Sequence, residues 1–172
     1  MAILKDQLVK TERGTMPIDL VPSSEPMETF VPDIHFRYLG IHDYFTVDHE
    51  AVEHDECITV ILEDGETFRC TSDTKIIQSI NRLKLINGTL ADTIQCLDIN
   101  SYNQNERNYI FGLDQNTGKP TRYLIKSIER NGLLFPDVFY KFNFVYPENN
   151  FVDKDTFVAI KFKNSEKTIF VR

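Results

Sequence analysis

Apolar and polar positions alternate in short runs along most of this chain. Val138, Tyr140, Phe142, Phe144 and Tyr146 occupy every second position, a period of two that predicts a long, half-buried strand. Cys57–Leu62 and Thr67–Cys70 flank Glu63-Asp64-Gly65-Glu66, and Asp-Gly between β-rich runs predicts a hairpin because a primed turn needs positive φ. Tyr109–Leu113 and Tyr123–Ile128 around Asp114–Thr121 predict a second hairpin, and Thr156–Phe162 and Thr168–Val171 across Lys163–Lys167 a third. Val9–Thr11 reads as a short strand entering a turn, Phe36–Leu39 and Tyr44–Val47 as short apolar stretches, and Leu90–Leu97 as a strand. Pro17, Pro22, Pro26 and Pro32 predict loop and short extended pieces over 17–33, and the Asn-rich Asn100–Asn108 an exposed loop. Ile76, Ile77, Ile80 and Leu83 follow a helical stripe that Ser72 or Asp73 would cap and Gly88 would end, so one short helix is expected there.

Composition supports this pattern. Thirteen phenylalanines and seven tyrosines among 172 residues, with a hydrophobic share of 41%, favour an all-β fold of one domain with a packed core. The formal net charge of -7 disfavours a nucleic-acid partner. The start MAILKDQLVKTERG has no apolar run of signal-peptide type, and no later stretch approaches the ~20 apolar residues that span a bilayer. A soluble chain without a membrane partner, cytoplasmic or in a virion rather than secreted, is the expectation. Cys57, Cys70 and Cys96 contain no CxxC pair and are expected as buried, reduced thiols.

Motifs of chemistry are sparse. There is no Gly-rich phosphate loop, GxSxG elbow or HExxH, so no cofactor is expected. His35, His42, His49 and His54 lie among Asp43, Asp48, Glu50, Glu53, Asp55 and Glu56. Their spacing matches no metal-ligand pattern, and a solvated acidic loop is expected.

Four segments in order resemble hedgehog/intein (Hint) domains. Val9-x-Thr11-x-x-Gly14-x-x-Pro17-Ile18 is similar to the family's opening, where a strand and turn follow a nucleophilic cysteine or serine. Ile58–Leu62, Glu63-Asp64-Gly65 and Thr67–Cys70 running into Thr71-Ser72-Asp73-Thr74 resemble its "LEDG … CTxxH" hairpin. Val138–Tyr146 resembles its penultimate "VYDLxV" strand, and Asn149–Val152 with Thr156–Val158 its closing "HNFxxxxxxVHN" segment. The resemblance implies a compact, pseudo-symmetric β fold of hairpins over 1–160, with 161–172 as a strand extension beyond the usual end.

The family's functional positions then fall on residues unable to splice. The resemblance places Ala2 where a thiol or hydroxyl would start the acyl shift. Thr71 of the TxxH motif is kept, but Thr74 replaces the histidine that protonates the scissile amide. Ala159-Ile160 stand where a His-Asn pair would release the downstream bond. The expectation is a non-enzymatic structural or interaction module, with no catalytic, cofactor or metal residues. By family analogy it is a bacteriophage virion component whose partners are other virion subunits or copies of itself, in an oligomer. An exposed edge strand at Thr168–Val171 would serve β-addition. Two alternatives stand beside it: a peptide-cleaving enzyme using Cys57, Cys70 and His54, and a small-ligand binder with Val138–Tyr146 as its floor.

Overall fold

The structure, a computed structural model, describes the chain outside residues 24, 32–40, 87–88, 107, 115 and 144–155. Among the described residues thirteen strands follow in order: β1 (Ala2–Leu4), β2 (Leu8–Thr11), β3 (Gly14–Pro17), β4 (Pro26–Val31), β5 (Ile41–Thr46), β6 (Asp48–Leu62), β7 (Thr67–Cys70), β8 (Ile76–Ile86), β9 (Thr89–Leu97), β10 (Tyr109–Asp114), β11 (Pro120–Asn143), β12 (Phe157–Lys161) and β13 (Lys167–Val171). Their pairings are antiparallel, and the main path runs β1-β7-β6-β11-β10-β13-β12-β2-β4-β5. The fold is all-β, as expected. The stretches Phe36–Leu39, Gly88, Phe144 and Tyr146 lie outside the described residues.

The β6–β7 hairpin shows how local sequence sets register. Ile58, Val60 and Leu62 face the main core at period two, with Phe68 and Cys70 answering from β7. The turn closes with Leu62 N–H donating to Glu66 O at 2.9 Å, Gly65 has φ 91°, and the Asp64 carboxylate accepts from Glu66 N–H at 3.0 Å. Gly112 of β10 serves packing instead. A Cβ there would stand 2.1 Å from the Tyr123 ring and 2.5 Å from Thr168 O, so the strand needs glycine to approach its neighbours.

The expected helix over 76–83 is a strand. β8 pairs β9 with register shifts between Ile77 and Ser79 and between Arg82 and Lys84. Each bulge inserts a residue into the alternation, so Ile77 and Ile80, three apart, both reach one apolar cluster with Ile94 and Cys96. That spacing imitates a helical stripe, while the β-branched isoleucines fit the pleated surface.

Three loop or edge assignments also change. The stretch 17–33 contains β4, which pairs β5, β12 and β2. The acidic 48–56 stretch is strand: Asp48, Glu50, Glu53 and Asp55 are solvated as expected, but their backbone pairs β11 from Asp48↔Asn143 to Glu56↔Gly132. Ladder hydrogen bonds need no apolar side chain, which is why hydropathy missed them. Thr168–Val171 is no open edge, because β13 lies between β10 and β12 with Ile169, Phe170 and Val171 at 0% exposure.

The two runs read as Tyr123–Ile128 and Val138–Tyr146 belong, as far as Asn143, to one strand. β11 pairs β10 at its start, β6 along its length and β1 near its end. Phe142 joins the main core with Tyr140 packed against it, and Phe139 on the opposite face is fully buried with Ala2 and Cys57. The face proposed as a ligand floor is core through Phe142.

Candidate functional site at the amino-terminal strand

β1 threads between two neighbours. Ile3 pairs Cys70 of β7, and Ala2, Ile3 and Leu4 pair Lys141, Tyr140 and Phe139 of β11. Ala2 is 3% exposed and its methyl joins Cys57 and Phe139. The chain leaving β7 turns at once, Thr74 N–H donating to Thr71 O at 3.2 Å, which folds two hydroxyls over the Ala2 backbone.

The polar contacts there resolve by counting protons. Ala2 N–H donates to Thr71 Oγ1 at 2.9 Å, and Thr71 N–H donates to Ala2 O at 2.9 Å. Thr71 Oγ1 lies 2.5 Å from Asp73 Oδ1, 3.3 Å from Ala2 O and 3.3 Å from Thr74 Oγ1. A hydroxyl has one proton, and the short, charge-assisted contact to the Asp73 carboxylate takes it. The one proton of Thr74 Oγ1 is left to reach Thr71 Oγ1 at 3.3 Å or Ala2 O at 3.4 Å. The result is a directed chain from Ala2 N–H through the Thr71 hydroxyl to Asp73.

Asp73 Oδ2 also holds the Met1 ammonium at 2.8 Å. Partial burial raises the Asp73 carboxyl, but hydrogen bonds from the ammonium and the Thr71 hydroxyl outweigh it and hold the group below the usual carboxylate range. In the sequence Asp73 stands out only as a candidate helix cap. Its sequence signal was its place two residues after Thr71 and one before Thr74, directly behind the hairpin.

The thiols are not activated. Burial pushes both the Cys70 and the Cys57 thiol up, away from the thiolate. All three cysteines are free, and Cys96 is half-buried. His54 sets its ring edge-on against Phe139, centroids 5.4 Å apart. His49 Nε2 lies 2.9 Å from Val21 O. His35 is outside the described residues, and nothing is described of the His42 side chain. Among the described residues no three His, Cys, Asp or Glu side chains gather to hold a metal ion. Ala159 and Ile160, where the resemblance implied a His-Asn pair, are core residues of β12, 0% and 1% exposed, with Ile160 opposite Val9 and Ile169.

No family model and no curated protein matches this sequence. Solved structures do match along almost its whole length. A bacterial intein-like domain from Clostridium thermocellum superposes with TM-score 0.65 at 12% identity, covering 99% of this chain and 98% of its own. The AceL NrdHF class 3 split intein, a splice-inactive variant, gives 0.67 at 12% identity with 98% and 96% covered. A DnaB intein from Synechocystis sp. PCC 6803 gives 0.54 at 10% identity with 98% and 96% covered. The fold is therefore the intein-like Hint fold.

That finding corrects the expectation of a non-enzymatic chain. The neighbours are inteins and an intein-like domain, so the fold gives no ground for calling the chain a non-enzyme. The neighbours lend no support to a bacteriophage origin or a virion role.

Proposed function

We propose that this chain is a Hint-type processing domain that no longer splices and instead cleaves the peptide bond at its own amino-terminal junction, between positions 1 and 2. The observation that carries this reading is the relay from Ala2 N–H to the Thr71 hydroxyl to Asp73. Full splicing would need a nucleophile at Ala2 and a cyclising asparagine near Ala159-Ile160, and neither position carries one.

Hydrolysis needs less. When a segment precedes Met1, its α-nitrogen is an amide and Asp73 Oδ2 is relieved of its ion pair. A water bound there gives a proton to Asp73 as its oxygen adds to the Met1 carbonyl carbon. The carbon–nitrogen bond then breaks, and the proton passes from Asp73 through the Thr71 hydroxyl to the Ala2 nitrogen, which leaves as an amine. Water and amide become acid and amine, and the charges balance.

The test is a fusion with a folded protein upstream of Met1, followed by intact mass during incubation at neutral pH. The expected products are a fragment ending in Met1 and a chain starting at Ala2, with Asp73→Asn and Thr71→Val each slowing release at least about tenfold. A fusion that melts cooperatively yet stays whole for days overturns the reading.

A further inference from the structure

Between β8 and the β10–β11 hairpin runs a groove of about 250 Å³. β8 contributes Gln78, Ser79 and Ile80, and the hairpin contributes Phe111, Pro120, Thr121 and Arg122. Its polar and apolar parts are not mixed at random. Phe111, Ile80 and Pro120 offer a small hydrocarbon surface, and Ser79 Oγ is already engaged by Gln95 Oε1 at 3.1 Å. Gln78 stands outside the β8–β9 register, between the paired residues Ile77 and Ser79. Its side chain makes no hydrogen bond among the described residues and remains available to a ligand.

The charge in the groove is unbalanced. Arg122, opposite Phe111 in the β10–β11 ladder, lays its guanidinium over the Tyr109 ring at 4.6 Å. It has no hydrogen bond or ion pair among the described residues, whereas Arg13 and Arg130 are engaged by Glu25 and Glu56. Stacking on an aromatic ring fixes the planar fork and leaves its N–H edge free for a bidentate acceptor. Among the described residues no carboxylate lines the groove; Glu63 and Asp64 line the neighbouring cavity that Arg122 also borders.

We propose that this groove binds the carboxy-terminal end of a peptide with an apolar last residue. The terminal carboxylate meets the Arg122 guanidinium, the last side chain lies on Phe111, Ile80 and Pro120, and the Gln78 carboxamide pairs with the peptide backbone. The size selects a chain end over a larger ligand, because drug-sized molecules and cofactors fill about 300–1,000 Å³. Capture of a terminal carboxylate beside a sheet is a recurring recognition mode. Arg122 and Gln78 have no part in the amino-terminal relay, so this site stands or falls apart from the processing reaction.

The experiment uses the intact chain labelled with nitrogen-15 and three probes: N-acetyl-Gly-Gly-Leu with a free carboxylate, its carboxamide, and acetate. The free acid should shift the amide signals of Gln78, Ser79, Ile80 and Arg122, and the carboxamide should bind at least about tenfold more weakly. Arg122→Gln, on an exposed position, should weaken the acid by a similar factor while leaving the melting curve in place. Equal affinity for acid and carboxamide, acetate binding as tightly as the tripeptide, undiminished binding by Arg122→Gln, or no shift up to about 10 mM acid each overturns the proposal.

Discussion

Two places that the Hint resemblance singles out in this chain, Ala2 and Ala159-Ile160, lie in opposite surroundings. Around Ala2 the backbone is met by Thr71 and Thr74 hydroxyls and, through Thr71, by Asp73. Around Ala159 and Ile160 the described apolar neighbours form core: the cluster of Ala159 holds Phe30, Ile77, Phe111, Phe157 and Phe170, and Ile160 joins the main core. One β scaffold thus holds a buried polar cluster beside one strand and hydrocarbon about another. Polar groups survive at the upstream position because each has a partner, so their burial costs little. In the hydrocarbon around Ala159 and Ile160 an unpaired polar side chain would be expensive.

Three experiments press on this contrast, beginning with the largest effect. Deleting residues 164–172 removes β13 from the middle of the sheet, with three residues at 0% exposure, and should abolish cooperative melting. A truncated chain that still melts cooperatively would show the downstream half to be an appendage. Next, single polar or nucleophilic residues can be introduced at the two places. Ile160→Asn should cost at least about 3 kcal/mol in denaturant unfolding, from lost burial plus an unsatisfied amide. Ala2→Cys should cost under about 1.5 kcal/mol as a small change of volume. In the upstream fusion it should add release that depends on dithiothreitol, since the thiol can take the acyl group and pass it on. Equal costs, or no thiol-dependent release, would erase the asymmetry.

The smallest effect is electrostatic. The Asp73 carboxyl is lower in the folded than in the unfolded chain, so its stabilisation is present above the unfolded carboxylate value near 4 and is lost as pH falls through the lower folded value. The carboxylate side chain is 70% exposed, and solvent limits the contribution to about 0.2–1 kcal/mol. Asp73→Asn should flatten the acid limb of a stability–pH curve by that amount and leave the curve above pH 6 parallel to wild type. A limb of unchanged steepness would place the proton-linked stability elsewhere, for example at Asp6, where burial raises the carboxyl but hydrogen bonds from Lys163 and Gln7 hold it low.

What hydropathy could see was the half of each strand that faces oil. The β6–β7, β10–β11 and β12–β13 hairpins were legible because Asp64-Gly65 and Gly118-Lys119-Pro120 punctuate runs with alternating burial. The first half of β6 and the middle of β11 were not, since Glu50 faces Lys141 and Glu56 meets Arg130 at 3.0 Å on a solvated ribbon. β8 was misread because two bulges shift the phase that periodicity measures. At the junction, Ala2, Thr71 and Thr74 followed from motif order. Asp73 did not, because its role depends on a contact with Thr71 and Met1 that forms only when residues seventy-two positions apart are brought together.

β11 adds a matter of timing. Ala2 lies opposite Lys141, and Asp48 opposite Asn143, so the first strand of the chain can take its place only when nearly the last has been made. Pairings of such sequence separation are slow to form, and a chain emerging from the ribosome amino end first would have to wait for them. A protein fused upstream of Met1 would therefore finish its own folding while the junction was still slack, and would be presented to Thr71 and Asp73 as a completed cargo. The far end of the sequence acts as a clock on the near end.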